Sequence, residues 1–132
     1  MTSLILDASV ALDLVVDQGH RTDAATGAVA GQELFAPSLI DLEVVSALAR
    51  MERAGALTST QGARAVDAWD KVRVTRCSDV LLLRDAWLLR QSMRVADAFY
   101  VALAQVLGAP LVTSDARMAR APHPGVAVTL VG

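Results

Sequence analysis

Four acids in this chain adjoin apolar runs instead of lying among other polar residues. Asp7 follows Leu4-Ile5-Leu6, and Glu43 lies between Leu42 and Val44; Asp97 interrupts Val95-Ala96 and Ala98-Phe99-Tyr100, and Asp115 follows Leu111-Val112-Thr113-Ser114. Each has a structural role open to it as a helix cap, a dipole partner or a solvated charge. An unpaired carboxylate such as Glu43 in an apolar helix stretch is costly to bury. Gathered at one place the four would repel one another, and a fold that gathers acids normally holds a cation there or raises their pKa values. Oxygen ligands without His or Cys select hard ions, hence Mg²⁺ or Mn²⁺, which keep several waters and leave room for a phosphate. Such an ion activates water and stabilises charge developing at phosphorus, so the chemistry expected of the set is phosphodiester hydrolysis.

The elements that must position these acids follow from the hydrophobic pattern. Leu4-Ile5-Leu6 reads as a strand buried on both faces, with Asp7 at its end and a helix from Ser9 through Val16. A second helix is expected over Arg21 to Ala30, and a short strand over Glu33 to Ala36, closed by Pro37. The longest helix starts at Pro37-Ser38-Leu39 and runs to about Ala54, with Gly55 as its stop. Asp41 is two positions from Glu43 and faces elsewhere. Thr58-Ser59-Thr60-Gln61 has the form of a capping box ahead of a helix through Val66, Trp69 and Val72.

The alternating Val72 to Arg76 reads as a strand near a sheet edge. Asp79 opens a further helix through Leu82, Leu83, Trp87 and Leu88, and both tryptophans are expected in the core. A helix from Arg94 to Leu107 is stopped by Gly108, with Asp97 in its first turn. Ala109 to Thr113 is a strand, Ser114-Asp115 a turn, and a short helix carries Arg117 and Arg120. Val126 to Val131 closes the chain as a last strand. Alternating strands and helices imply an α/β three-layer sandwich, a central and mostly parallel sheet of about five strands with helices on both faces. Asp7 and Asp115, each ending a buried strand, then share the carboxyl edge of the sheet, where such folds bind ligands. Asp97 begins the helix feeding the second of those strands and faces the same crevice, and Glu43 reaches in from the side.

At 132 residues the chain is expected to be a single domain over 1–132, and with 54% hydrophobic and 4% aromatic residues its core is aliphatic. A lone Cys77 excludes a disulfide within the chain and has the environment of a small buried hydrophobe. No apolar run reaches membrane-spanning length, and a cytoplasmic protein is expected. The formal charge of −2 argues against a general nucleic-acid binder, yet it leaves room for a nuclease whose acids are offset by a metal. Of the 12 basic residues only Lys71 is a lysine. Arginine forks suit phosphate and carboxylate partners, and a GC-rich genome produces the same excess.

Four blocks, taken together and in order, resemble a PIN domain, and within that family the VapC class of bacterial toxin ribonucleases. They are Leu-Asp-Ala-Ser at 6 to 9, Pro-Ser-Leu-Ile-Asp-Leu-Glu at 37 to 43, Ala-Asp-Ala-Phe-Tyr-Val-Ala-Leu-Ala at 96 to 104, and Pro-Leu-Val-Thr-Ser-Asp at 110 to 115. The resemblance covers essentially the whole chain. It implies a metal-dependent RNA endonuclease, typically a homodimer, held inactive by a VapB-type antitoxin whose tail occupies the active-site groove. The family's catalytic acids fall on Asp7, Glu43, Asp97 and Asp115, with the metal on Asp7, Asp97 and Asp115. Its small hydroxyl positions match Ser9 and either Thr113 or Ser114. Family members often carry an aromatic residue just before the third acid, where this chain has Ala96, a departure that bears on substrate fit and not on metal binding.

Arg117 and Arg120, which follow the last acid on a short helix, are candidate contacts for RNA or antitoxin, as is Arg94; a solvated helix face is the alternative. Two other function classes compete. A phosphoacceptor domain would phosphorylate Asp7 but needs a lysine near a late strand, and none follows Lys71; a haloacid-dehalogenase-like phosphatase would want a second acid where Ser9 stands. A catalytically silent PIN fold, acting only as a binding partner, would retain the same acids.

Overall fold

The computed structural model describes residues 2–121, 123 and 125–132. Five strands form one sheet: β1 (Ser3–Leu6), β2 (Glu33–Pro37), β3 (Thr75–Cys77), β4 (Leu111–Thr113) and β5 (Val128–Leu130), in the order β3-β2-β1-β4-β5. Every neighbouring pair is parallel. In β1 the consecutive residues Leu4, Ile5 and Leu6 are all buried, which requires cover on both faces of the sheet.

The helices supply that cover. From β1 the chain steps outward through α1 (Ala8–Val15) and α2 (His20–Val29) to β2, then through α3 (Ile40–Arg53) and α4 (Ser59–Lys71) to β3. It returns across the sheet through a 3₁₀ turn (Asp79–Leu82), α5 (Leu83–Leu88) and α6 (Val95–Leu107) to β4, and reaches β5 by way of α7 (Ala116–Arg120). Right-handed crossovers travelling in opposite directions lie on opposite faces. Accordingly α1 touches α2, α3 and α4, while α5 packs on α6. The reversal falls between β1 and β4, the switch point at which open α/β sheets form their ligand crevice.

Local signals account for the boundaries. The capping box is present: Thr58 accepts from the Gln61 N–H at 3.1 Å, and Gln61 accepts from the Thr58 N–H at 2.8 Å. Gly108 ends α6 in the left-handed region at φ 61°, which a side chain would strain. The strands are shorter than their hydrophobic runs. Val72 to Val74 lie outside β3, which does occupy a sheet edge, and β4 and β5 begin two residues inside their apolar segments.

The helix expected from Asp79 breaks into the 3₁₀ turn and a six-residue α5. The Asp79 carboxylate reaches across to accept the Leu39 N–H at 3.1 Å, which supports the start of α3 instead. This break overturns one expectation. Trp69 is in the core at 4% exposure, where its indole N–H donates to Asp41, but Trp87 is 63% exposed. Only Leu82, Ala86 and Leu89 of that segment are buried, so the faces bearing Leu81, Leu83, Trp87 and Leu88 point outward, and Trp87 stacks under Arg90 instead. Cys77 is half-buried against the core. Among the described residues no helix is long and apolar enough to cross a membrane.

Candidate active site

The parallel register brings the acids together. Ile5 pairs with Leu111 and Leu6 with Val112, so the next residues along, Asp7 and Thr113, stand level at the carboxyl edge. The Asp7 N–H donates to the Val112 carbonyl at 3.1 Å, and its own carbonyl accepts from Val10 and Ala11 to open α1. Asp7 therefore holds the helix-capping position, but its carboxylate makes no cap hydrogen bond. That carboxylate instead accepts from two hydroxyls: Ser9 Oγ at 2.5 Å and Thr113 Oγ1 at 2.8 Å, both on Oδ2. The Ser9 oxygen accepts the Ser114 N–H at 2.9 Å, and the Thr113 oxygen accepts the Asp115 N–H at 3.0 Å. These bonds join the turn after β1 to the turn after β4. Of the two hydroxyls left open by the sequence, Thr113 is the one engaged; the buried Ser114 Oγ has no partner.

The other acids come from helix starts. Glu43, in the first turn of α3, accepts from the Tyr100 hydroxyl at 2.7 Å, so it is paired and not the unpaired charge its apolar neighbours suggested. Tyr100 is fully buried on α6, one turn after Asp97. Asp97 is buried too, and its oxygens meet two guanidinium groups. Arg94 donates to it through Nε at 3.3 Å and Nη2 at 3.2 Å, and Arg117 Nη2 lies at 3.3 Å. Arg117 also reaches Asp115 at 2.9 Å. Asp115 does cap α7, accepting from the Arg117 and Met118 N–H groups. Arg94 and Arg117, candidates for external contacts, thus also pair with the site's own acids, and Arg120 makes no ion pair among the described residues.

All four acids line one cavity of about 150 Å³, together with Ser9, Arg50 and Arg94. The larger hollow between α1 and α4 has a single acid, Asp17, among its described lining residues. The electrostatics follow from burial and crowding. Burial raises the Asp7 carboxyl above its usual value, with Asp97 adding to the shift and the two hydroxyls opposing it. Burial also raises Glu43, helped by the charges of Asp7 and Asp97 and opposed by the Tyr100 hydroxyl and Arg94. Asp115 goes the other way: burial would raise it, but the Met118 and Arg117 N–H groups and the Arg117 charge bring it down. Burial and Glu43 push the Tyr100 phenol far up, so it stays a donor.

The donor set is all oxygen, with no histidine or cysteine in the cavity, which suits a hard divalent ion. The mutual repulsion recorded in Asp7 and Glu43 is the field such an ion would neutralise. Among the described residues no three acids, histidines or cysteines already converge as a ready-made ion cage. In this arrangement guanidinium groups hold Asp97 and Asp115, so an ion must compete with them.

Two residues of the site escaped sequence reasoning. Tyr100, the chain's single tyrosine, is three positions after Asp97, a spacing that places both on one helix face. Arg50 is two helical turns after Glu43 on the same side of α3.

Comparison with known proteins agrees with this fold. The family model described as PIN domain matches residues 4–124. Ribonuclease VapC3 of Mycobacterium tuberculosis is 42% identical over 118 residues, spanning 89% of this chain and 86% of that protein. VapC ribonuclease Mb0985 of Mycobacterium bovis is 34% identical over 128 residues, 97% and 98% of the two chains. Among solved structures, VapBC2 from Rickettsia felis, bound to a DNA fragment from its promoter, aligns with TM-score 0.70 at 12% identity over 99% of this chain and 100% of that one. VapC20 of Mycobacterium tuberculosis, a sarcin-ricin loop cleaving toxin, aligns with TM-score 0.64 at 16% identity, covering 88% and 92%. At those identities the two structures show a shared fold.

Proposed function

The chain belongs to the PIN domain family, and on that premise we propose that it is a metal-dependent endoribonuclease, the toxin of a VapBC-type pair. The observation that carries the reading is the convergence of Asp7, Glu43, Asp97 and Asp115, from four separate elements, on one cavity. Asp7, Asp97 and Asp115 would hold Mg²⁺ or Mn²⁺, with Glu43 completing the catalytic set. The bound ion supplies Lewis acidity toward the scissile phosphate and lowers the pKa of water.

The chain's own residues do the rest. Ser9 and Thr113 fix Asp7 Oδ2 and leave Oδ1 uncommitted by those bonds. Tyr100 holds one oxygen of Glu43, and burial raises the Glu43 pKa, which makes it a stronger acceptor for a proton from attacking water. Arg94 pairs with Asp97, and Arg117 with Asp97 and Asp115, which sets two guanidinium forks beside the site where they would meet phosphate oxygens. An antitoxin of the VapB type would restrain the enzyme, and the exposed apolar row of Leu81, Trp87 and Leu88 supports a homodimer. A site for that work in the cytoplasm fits this partnership.

The test is RNA cleavage by stringently purified protein with Mg²⁺ or Mn²⁺. Asp7→Asn and Asp97→Asn should fold normally and lose cleavage, and co-expression of the neighbouring small open reading frame should relieve toxicity. Equal cleavage by wild type and both variants would rule out the site. A catalytically silent partner protein would instead show ion binding with no cleavage of any RNA.

A further inference from the structure

The acid cavity adjoins a second hollow of about 510 Å³, lined by Leu42, Glu43, Ser46, Arg50 and Arg94. Leu42, Ser46 and Arg50 are spaced four apart on α3, so they form one row along the outside of that helix. Glu43, Arg50 and Arg94 line both hollows, so the two lie side by side with the arginines between them. Arg50 is exposed and, among the described residues, makes no ion pair or side-chain hydrogen bond. Arg94 binds Asp97 through Nε and Nη2, leaving Nη1 outside those bonds. Leu42 is 71% exposed on the same rim.

Size and charge decide what fits. Pockets that enclose a small organic ligand measure roughly 300–1,000 Å³, so the acid cavity has room for an ion, water and a phosphate but not for a nucleotide. The strand flanking a bound phosphate must therefore lie outside it. A cavity of carboxylates also repels an approaching polyanion, and an unpaired guanidinium at its mouth offsets that repulsion. Arginine presents a fork that matches phosphate oxygens.

We propose that this side hollow seats the nucleotide adjoining the scissile phosphate of a single-stranded RNA. Arg50 takes the flanking phosphate, Arg94 meets it from the α6 side, and Leu42 forms an apolar shelf for sugar and base. This rests on the ribonuclease reading and adds to it the path of the strand, outward along the Leu42-Ser46-Arg50 row of α3.

Binding of a fluorescein-labelled, mixed-sequence RNA dodecamer to the full chain tests the assignment, measured by anisotropy in an Asp97→Asn background that keeps the RNA intact. Arg50→Gln should weaken binding about five- to tenfold and lower the slope of log Kd against log salt by about 1. Arg53→Gln, in the same last turn but lining neither hollow, should change nothing, and Leu42→Trp should tighten binding severalfold by stacking. Binding by Arg50→Gln equal to that of Arg53→Gln would overturn the proposal. So would Arg50→Gln sparing RNA while weakening a labelled oligoglutamate peptide, since that assigns the hollow to an acidic protein tail. Calorimetric titration with Mn²⁺ keeps the two readings apart: ion uptake by wild type but not Asp97→Asn upholds the nuclease site whatever Arg50 does.

Discussion

A single guanidinium spans two of the four acids: Nη2 of Arg117 stands 3.3 Å from Oδ2 of Asp97 and 2.9 Å from Oδ2 of Asp115. The side chain is about half exposed, so solvent screens these pairs and their combined worth is under about 1 kcal/mol. As a competitor for the carboxylates, however, Arg117 opposes any ion seeking the same oxygens. Arg117→Gln should lower the metal-free melting temperature slightly and raise Mn²⁺ affinity by roughly three- to tenfold, an effect on the order of 1 kcal/mol. Isothermal titration calorimetry decides it; unchanged or weaker uptake of Mn²⁺ would mean that the arginine does not compete.

The acids also set a pH dependence whose sign follows from burial. Asp7 and Glu43 titrate above their ordinary values of 3.8 and 4.5, so the folded chain keeps protons that the unfolded chain has released. Their contribution is most favourable below the unfolded values and is lost as pH rises through the raised native ones. Asp41 and Asp115 are shifted down, by the Arg76 hydrogen bond for Asp41 and by the Arg117 and Met118 groups for Asp115, and act in the opposite sense. The difference between two proteins isolates the first effect. In EDTA, Asp7→Asn should melt a few degrees above wild type at pH 7, with the gap closing toward pH 4. A gap independent of pH would show that the Asp7 charge carries no such cost.

Thr113 has no solvent exposure, and its hydroxyl both donates to Asp7 and accepts from the Asp115 N–H. Thr113→Val keeps the shape and removes both bonds, leaving a buried carboxylate short of one partner. A loss of about 1–3 kcal/mol in denaturant unfolding is expected, together with weaker ion binding. Ser114→Ala, whose hydroxyl has no partner, should cost far less, and equal losses from the two would mean that the bridging hydroxyl contributes nothing special.

Removing the Tyr100 hydroxyl probes the fourth acid. Tyr100→Phe leaves the buried ring in place and takes away the donor 2.7 Å from Glu43. A destabilisation of about 1–2 kcal/mol is expected, along with a displaced acid limb in the pH profile of cleavage, because the Glu43 carboxylate loses a hydrogen bond that favours its charged form. An unmoved pH profile would take Glu43 out of the proton-accepting role.

Trp87, Leu81 and Leu88 stand out on the surface at 63%, 76% and 76% exposure. If that row joins two copies, Trp87→Glu should convert a dimer to a monomer in light scattering without loss of helicity. A wild-type chain that is already monomeric at tens of micromolar would end the homodimer reading.

The sequence carried the architecture because the strands most buried are the most uniformly aliphatic: Leu4-Ile5-Leu6 and Leu111-Val112 are pinned by apolar neighbours on both sides, and the acids that follow inherit their positions. Short-range chemistry was equally legible, as in the Thr58 and Gln61 box and the Gly108 stop. Two kinds of feature were not. Helix ends depend on competition from distant groups, and Asp79 reached for the Leu39 N–H instead of extending its own helix, which left Trp87 outside. Partners of charged side chains depend on three-dimensional neighbours. Nothing in the spacing of Arg94 and Arg117, 23 positions apart, says that both close on Asp97.

Of the five strands β1 comes earliest in the chain and lies in the middle of the sheet, yet its neighbour β4 follows only after β2 and β3. Asp7 is then tethered to a hydroxyl 106 positions downstream. During synthesis on a ribosome, the emerging part that carries Asp7 and Ser9 has no β4 against which to set this acid until Thr113 has followed it. A nascent chain that stops short of Thr113 therefore lacks both that tether and Asp115, and its remaining acids cannot close the cavity that all four line in the folded protein.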